Sequence, residues 1–96
     1  MFLEQLKSKY ISQTVNVTKH LFDPNDTDRG FYFIVAGDDP TAVALSETCK
    51  SQGYALRFLM PNTNYTLEYN SGRINAHIER SWDDPEIWCV YDLTIG

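Results

Sequence analysis

The connection between two apolar segments in the second half of the chain constrains the fold more than any other feature. The segment RFLMPNTNYTLEYNSGRINAHI covers residues 57 to 78, and its first apolar run ends at Pro61. About ten polar, turn-prone residues follow before an alternating run begins at Arg73, which is too many for a tight β-hairpin. Loops of this length are functional or disordered, and the two tyrosines and the leucine within this one argue against simple disorder.

Helix start and stop signals predict one main helix directly before this region. Asp39 can cap the N terminus, Pro40 suits the first helical position, and Gly53 suits the C-terminal stop. The intervening segment PTAVALSETCKSQ carries a small apolar face, so the helix is expected to pack against a sheet.

Apolar periodicity places the remaining elements. The first residues, MFLEQLKSKYI, have helical spacing, and alternation around Val15 and Val17 predicts a strand. Residues 13–36 therefore read as a hairpin whose long connection contains the turn DPNDTDRG. Later strands are predicted over YALRFLM, RINAHIE and IWCVYDLTI, with a turn at RSWDDPE. Both tryptophans, Trp82 and Trp88, are expected in the core or at its edge.

The strand RINAHIE presents two different faces. Ile74 and Ile78 lie on one face, whereas Arg73 and Asn75 lie on the other. Because the apolar face must enter the core, the polar face is expected to point towards the preceding loop.

Composition bounds the class of protein. The 96 residues suit a single domain, and 43% hydrophobic residues indicate a folded globule. The net charge of −5, with only eight scattered lysines and arginines, argues against nucleic-acid binding. The apolar runs fall short of the roughly 20 residues of a membrane span. Neither a nucleophile–base pair nor metal-ligand spacing is apparent, so we expect no enzyme activity, no metal and no cofactor.

The two cysteines and the N terminus leave two questions open. Cys49 and Cys89 could form one disulfide or remain as two buried thiols. The start MFLEQLKSKY lacks the apolar core of a signal peptide. The protein is therefore secreted or periplasmic if a leader was removed, and cytoplasmic otherwise.

A spaced set of residues carries a resemblance to a known family. The set is Arg57-x-Leu59-x-Pro61, four residues, Thr66-Leu67-Glu68-Tyr69, three residues, then Arg73-Ile74-Asn75. It resembles the potato inhibitor I family, and most closely its microbial elastase and subtilisin inhibitors. The resemblance extends over residues 38–96 and is specific over residues 57–78.

The resemblance implies an α+β fold. One main helix would pack on a small mixed sheet, and a long exposed loop would join two parallel strands. Residues 38–96 would form this inhibitor-like core, and residues 1–37 would add an N-terminal helix and hairpin to the same single domain.

The resemblance also implies reversible, substrate-like inhibition of a serine protease of chymotrypsin, elastase or subtilisin type. Leu67 would enter the specificity pocket of the protease, and the Leu67–Glu68 bond would be presented for cleavage. Arg73 and Asn75 would anchor the loop by hydrogen bonds to residues that flank this bond. The protease-binding loop would comprise Tyr65, Thr66, Leu67, Glu68 and Tyr69.

An alternative reading is a non-inhibitory protein–protein interaction module on the same scaffold. Residues 1–37, or the segment ERSWDDPEIW, would then bind an unrelated protein. Under both readings we expect a protein that is monomeric alone and binds neither nucleic acid nor membrane.

Overall fold

The computed structural model describes residues 2–61, 65 and 68–96, and it confirms the predicted α+β class. Helices α1 (Phe2–Tyr10) and α2 (Pro40–Ser51) pack on a mixed four-stranded sheet, and two further strands pair as a separate hairpin. The strands are β1 (Thr14–Val15), β2 (Val17–Leu21), β3 (Phe31–Val35), β4 (Ala55–Leu59), β5 (Arg73–Arg80) and β6 (Trp88–Ile95).

The main sheet has the order β1-β6-β5-β4. The pairs β1–β6 and β5–β6 are antiparallel, whereas β4 and β5 run parallel in a register that places Ala55 opposite Arg73. Parallel neighbours start at the same end of the sheet, so their connection must return along the full length of β4. Residues 60–72 make this return, which explains why the loop is too long for a hairpin.

The signals at the ends of α2 act as predicted. The Asp39 side chain accepts a hydrogen bond from the main-chain nitrogen of Ala42 at 2.9 Å, and Pro40 is the first helical residue. Gly53 follows the helix with a positive φ of 81°, a conformation that favours glycine.

The strand predicted around Val15 and Val17 is in fact two strands, and the single hairpin expected over residues 13–36 is therefore wrong in its first part. β1 pairs with β6, whereas β2 pairs with β3. The chain changes sheet at Asn16, whose main-chain nitrogen donates to the Asp39 carboxylate at 2.8 Å and whose oxygen accepts from Ala36 at 2.9 Å. Local alternation could not reveal this long-range contact.

The carboxylate of Asp39 thus holds a helix end and a sheet junction together while being only 3% exposed. We expect Asp39→Ala to lower the free energy of unfolding by about 2–3 kcal/mol, because the helix loses its cap and a second main-chain donor loses its acceptor. Urea unfolding should measure the change. The neighbouring Asp38→Ala, at an exposed position, is the matched control. Equal losses for the two variants would contradict this role of Asp39.

The core lies between the helices and the main sheet. The apolar face of β5 is buried as predicted, and it meets side chains from both helices and from β6. The members of this cluster are Leu6, Tyr10, Val15, Leu45, Cys49, Met60, Ile74, Ala76, Ile78, Trp88, Val90 and Leu93. Within the described residues, no helix is both long enough and apolar enough to cross a membrane.

The expectation that both tryptophans pack in or near the core holds for Trp88 and is wrong for Trp82. Trp88 is buried in β6, whereas the side chain of Trp82 is 98% exposed. Trp82 belongs to the turn between β5 and β6, which the 2.6 Å hydrogen bond from Ser81 N to the Ile87 carbonyl closes. Trp82 therefore lies outside the paired part of the sheet, whose last pair is Arg80 with Trp88.

Candidate functional site

The candidate site is the connection between β4 and β5 together with the strand ends that contact it. Tyr65, Glu68 and Tyr69 of the predicted protease-binding loop lie within the described structure, and Glu68 and Tyr69 are exposed. Thr66 and Leu67 lie outside the described residues. The site is therefore described from the two ends of the loop and the side chains that contact them. The first limb is the end next to β4, with Met60, Pro61 and Tyr65, and the second limb is the end next to β5, residues 68–72.

Arg73 joins the second limb of the loop to the end of β6. Its Nη2 donates to the main-chain oxygen of Glu68 at 2.9 Å, and its Nε donates to the main-chain oxygen of Gly96 at 2.7 Å. This contact thus goes to the main chain of Glu68, one of the residues that flank the bond predicted to be presented. A planar guanidinium can make both bonds at once in a fixed geometry, so the position of Glu68 is tied to the sheet.

Asn75 is the second predicted anchor, and it is more deeply buried than Arg73. Its side chain is only 5% exposed although it stands on the polar face of β5. Its Nδ2 donates to the Gly96 oxygen at 3.1 Å, and its Oδ1 accepts from Arg57 Nε at 2.9 Å. Asn75 therefore connects the Gly96 carbonyl, which Arg73 also holds, with an arginine on β4.

Arg57 supports the first limb of the loop, a role that sequence reasoning missed. Its guanidinium carbon lies 5.5 Å from the centre of the Tyr65 ring. The Tyr65 hydroxyl in turn accepts a hydrogen bond from the main-chain nitrogen of Met60 at 2.8 Å. Two sequence signals pointed to Arg57, its charge inside the apolar run YALRFLM and its place in the spaced set that carries the resemblance. The parallel register then places it directly opposite Asn75.

Tyr65, which was predicted as part of the protease-binding loop, makes contacts within the protein. Its side chain is partly buried, and its ring and hydroxyl both contact the base of the loop. Tyr69, in contrast, is 70% exposed, although one edge of its ring lies close to Gly96. A Cβ atom at Gly96 would lie 3.6 Å from that ring and 3.5 Å from Asn75 Nδ2, which are ordinary van der Waals distances.

The two limbs are consequently braced from below by one connected set of side chains. It begins at Tyr65, passes through Arg57 and Asn75 to the Gly96 carbonyl, and reaches Glu68 through Arg73. Such a scaffold can hold an exposed peptide in one conformation before a partner binds, which lowers the entropy lost on binding.

The cysteines lie away from this site and are not bridged. Cys49 is buried in α2, and Cys89 is half-buried in β6. Burial raises the pKa of the Cys49 thiol. Burial, together with the nearby charges of Glu79 and Asp83, also raises the pKa of Cys89. Both groups therefore stay protonated at neutral pH and are poor nucleophiles.

The histidines also have structural partners. His77 Nε2 lies 2.9 Å from Thr94 Oγ1 across the β5–β6 pair, and His20 stacks on Tyr32 in the hairpin. Across residues 2–61, 65 and 68–96, no three His, Cys, Asp or Glu side chains come together as a metal-binding group.

Comparisons with protein-family models, with curated proteins and with solved structures give no match for this chain. Its function must therefore be argued from the geometry of the braced loop.

Proposed function

We propose that this protein is a reversible, substrate-like inhibitor of a serine protease of chymotrypsin, elastase or subtilisin type. The loop presents the Leu67–Glu68 bond to the protease, and Leu67 fills the specificity pocket. The observation that carries the proposal is the 2.9 Å hydrogen bond from Arg73 to the carbonyl of Glu68, the residue that follows this bond.

The position of this hydrogen bond suits an inhibitor better than a substrate. When a protease cleaves a flexible peptide, the new amine diffuses away and water completes the reaction. Here Glu68 stays attached to Arg73 after cleavage, and Arg73 is fixed to Gly96. The new amine of Glu68 therefore remains near the acyl-enzyme, where its effective concentration is high, and resynthesis of the bond competes with hydrolysis.

The brace on the first limb contributes in the same way. Tyr65 is held by Met60 and Arg57, so the chain is restrained two residues before the presented bond. A loop restrained on both sides loses less entropy when it enters the extended binding groove of a protease. The apolar Leu67 then supplies the anchor that such an interface needs.

The type of protease follows from the chemistry of Leu67. A medium-sized apolar side chain suits the pockets of chymotrypsin-, elastase- and subtilisin-like enzymes, whereas a trypsin-like pocket carries a carboxylate and prefers lysine or arginine. We expect the purified protein to inhibit chymotrypsin, elastase or subtilisin in a one-to-one complex and to leave trypsin active. A folded sample that inhibits none of these enzymes would contradict the proposal.

Changing the pocket residue should change the target. We expect Leu67→Arg to weaken inhibition of the chymotrypsin- or subtilisin-like enzyme and to create inhibition of trypsin, because the guanidinium pairs with the pocket carboxylate. Titration of both enzymes with the variant and the unchanged protein measures the exchange. Arg29→Lys, which alters an exposed arginine of the hairpin turn, should leave both inhibition constants unchanged. Loss of inhibition without gain against trypsin would argue against Leu67 as the pocket residue.

A second candidate function, a non-inhibitory interaction module, is favoured by one observation. The N-terminal hairpin and the β5–β6 turn expose large apolar side chains, of which Trp82 is the most exposed. If every protease of the panel stays active, these surfaces rather than the loop become the proposed binding sites.

A further inference from the structure

A cavity of about 820 Å³ lies between the β2–β3 hairpin and the first residues of the β4–β5 connection, and Tyr65 of the brace contributes to its lining. Residues 31–35, the whole of β3, line it. Successive side chains of a strand point to opposite faces, so a cavity that meets five consecutive residues must run along the edge of the strand.

This edge of β3 is unpaired. The small sheet contains β2 and β3, and β2 occupies one side of β3. In the described part of the chain no strand pairs with the other side. The sequence FYFIV also carries none of the charged or proline residues that commonly protect an exposed edge. The main-chain groups along this side are therefore available to an added strand.

The opposite wall of the cavity is apolar. Its described residues include Phe58, Met60 and Pro61 at the end of β4, together with Trp88 from β6. On the hairpin side, Phe22 is 66% and Phe31 is 50% exposed. An exposed aromatic surface of this kind is typical of an interaction site rather than of an ordinary protein exterior.

The charge of the groove is opposite to that of the protein. Arg80 is the only charged side chain among the described lining residues, although the chain carries a net charge of −5. Its guanidinium carbon lies 4.8 Å from the Trp88 ring centre and 5.2 Å from that of Phe33, and its Nη1 donates to the Pro85 carbonyl. Within residues 2–61, 65 and 68–96, Arg80 forms no ion pair with a carboxylate.

We propose that this groove binds an extended segment of a partner protein in which apolar residues alternate and a carboxylate is present. The segment adds to the free edge of β3 through main-chain hydrogen bonds, its apolar side chains pack against Phe58 and Trp88, and its carboxylate pairs with Arg80. The groove adjoins the loop through Pro61 and Tyr65, but the contacts proposed here do not include the Leu67–Glu68 bond, and they do not rest on protease inhibition.

A second copy of this chain is a poorer occupant. The strand β3 has no carboxylate, so pairing of β3 with its counterpart in another copy would leave both Arg80 side chains without an acidic partner. An extended segment with apolar residues and a carboxylate can pair with the strand edge, pack on the apolar wall and neutralise Arg80.

The proposal can be tested with a phage-displayed library of random ten-residue linear peptides and the immobilised full chain. We expect enrichment of sequences that alternate apolar residues and contain aspartate or glutamate. The strongest binder, made with a fluorescent label, is then titrated by anisotropy against the protein and its variants. Replacement of its alternate peptide N–H groups by N-methyl groups should weaken binding about tenfold or more, because strand addition uses these donors.

Variants of the protein locate the contact. Arg80→Glu should weaken binding about tenfold or more, and a peptide with lysine in place of its acidic residue should restore binding to this variant. Phe31→Ser should weaken binding as well. Tyr91→Ser, at an exposed aromatic residue outside the groove, is the matched control and should bind normally. Thermal unfolding shows that each variant is folded.

Several outcomes would overturn the proposal. One is a library that yields no enriched class of acidic, apolar peptides, and another is a peptide whose affinity is unchanged by N-methylation. A third is a lysine-containing peptide that fails to bind the Arg80→Glu variant. Concentration-dependent dimers in gel filtration that Phe31→Ser abolishes would identify a second copy as the occupant instead. Each outcome is independent of protease inhibition, because the same variants can be titrated against the protease.

Discussion

Replacement of Leu67 by glycine is expected to weaken inhibition of a chymotrypsin- or subtilisin-like protease by about 100-fold or more. Under the proposed function, Leu67 is the one side chain that fills a closed pocket, and central apolar anchors of this kind supply a large share of the binding free energy. The core cluster of the described residues is unchanged in this variant, so the unfolding temperature should change little. Inhibition constants from substrate-competition assays measure the effect.

The matched control for this variant is Ile87→Gly. Ile87 is also an exposed aliphatic residue in a loop, but it lies in the β5–β6 turn. This control should inhibit as the unchanged protein does. If Leu67→Gly and Ile87→Gly inhibit equally well, Leu67 is not the pocket residue and the loop has been assigned wrongly.

Removal of the Arg73 side chain is expected to make the protein a weaker inhibitor that the protease cleaves faster, as it cleaves an ordinary substrate. Arg73→Ala loses the charged hydrogen bonds to the Glu68 and Gly96 carbonyls, which are 2.9 Å and 2.7 Å long. Each charged bond is worth about 1.5–3 kcal/mol when buried, and less at this partly exposed position. We therefore expect inhibition to weaken about 10- to 100-fold and cleavage of the loop to accelerate.

Two further variants separate the brace from a general effect of charge. Arg73→Lys keeps the charge but loses the planar fork, so it should fall between the alanine variant and the unchanged protein. Arg29→Ala removes a positive charge from the hairpin turn, where its partner is Asp26, and should inhibit normally. Equal cleavage rates for Arg73→Ala and the unchanged protein would show that the loop does not depend on this brace.

The elements that could be predicted from the sequence are those whose signals are local. The helix α2 begins and ends where Asp39, Pro40 and Gly53 predict, because caps and a positive φ are properties of a few adjacent residues. The break at Asn16 could not be predicted, because it depends on a hydrogen bond to Asp39, 23 residues away. The exposure of Trp82 depends likewise on how far the β5–β6 turn extends from the sheet.

In the candidate site, too, local features could be predicted from the sequence and long-range contacts could not. The sequence placed Arg73 and Asn75 on one strand face. Arg73 reaches Glu68 of the loop, whereas the hydrogen bonds of Asn75 described above go to Gly96 and Arg57. Sequence reasoning missed Arg57 and Gly96, because their contacts arise only when β4 pairs in parallel with β5 and β6 ends beside Arg73. The hydrogen bond from Met60 to the Tyr65 hydroxyl was likewise not predicted, because it depends on how the loop folds back on the end of β4.

The most direct test of the braced-loop account is mass spectrometry of the inhibitor recovered after prolonged incubation with chymotrypsin or subtilisin. We predict one slow cleavage, between Leu67 and Glu68, and two fragments that remain associated, because β4 and β5 pair within the same sheet. Resynthesis should return part of the cleaved protein to the intact chain when fresh protease is added. Rapid degradation, or a first cut at any other peptide bond, would contradict the account.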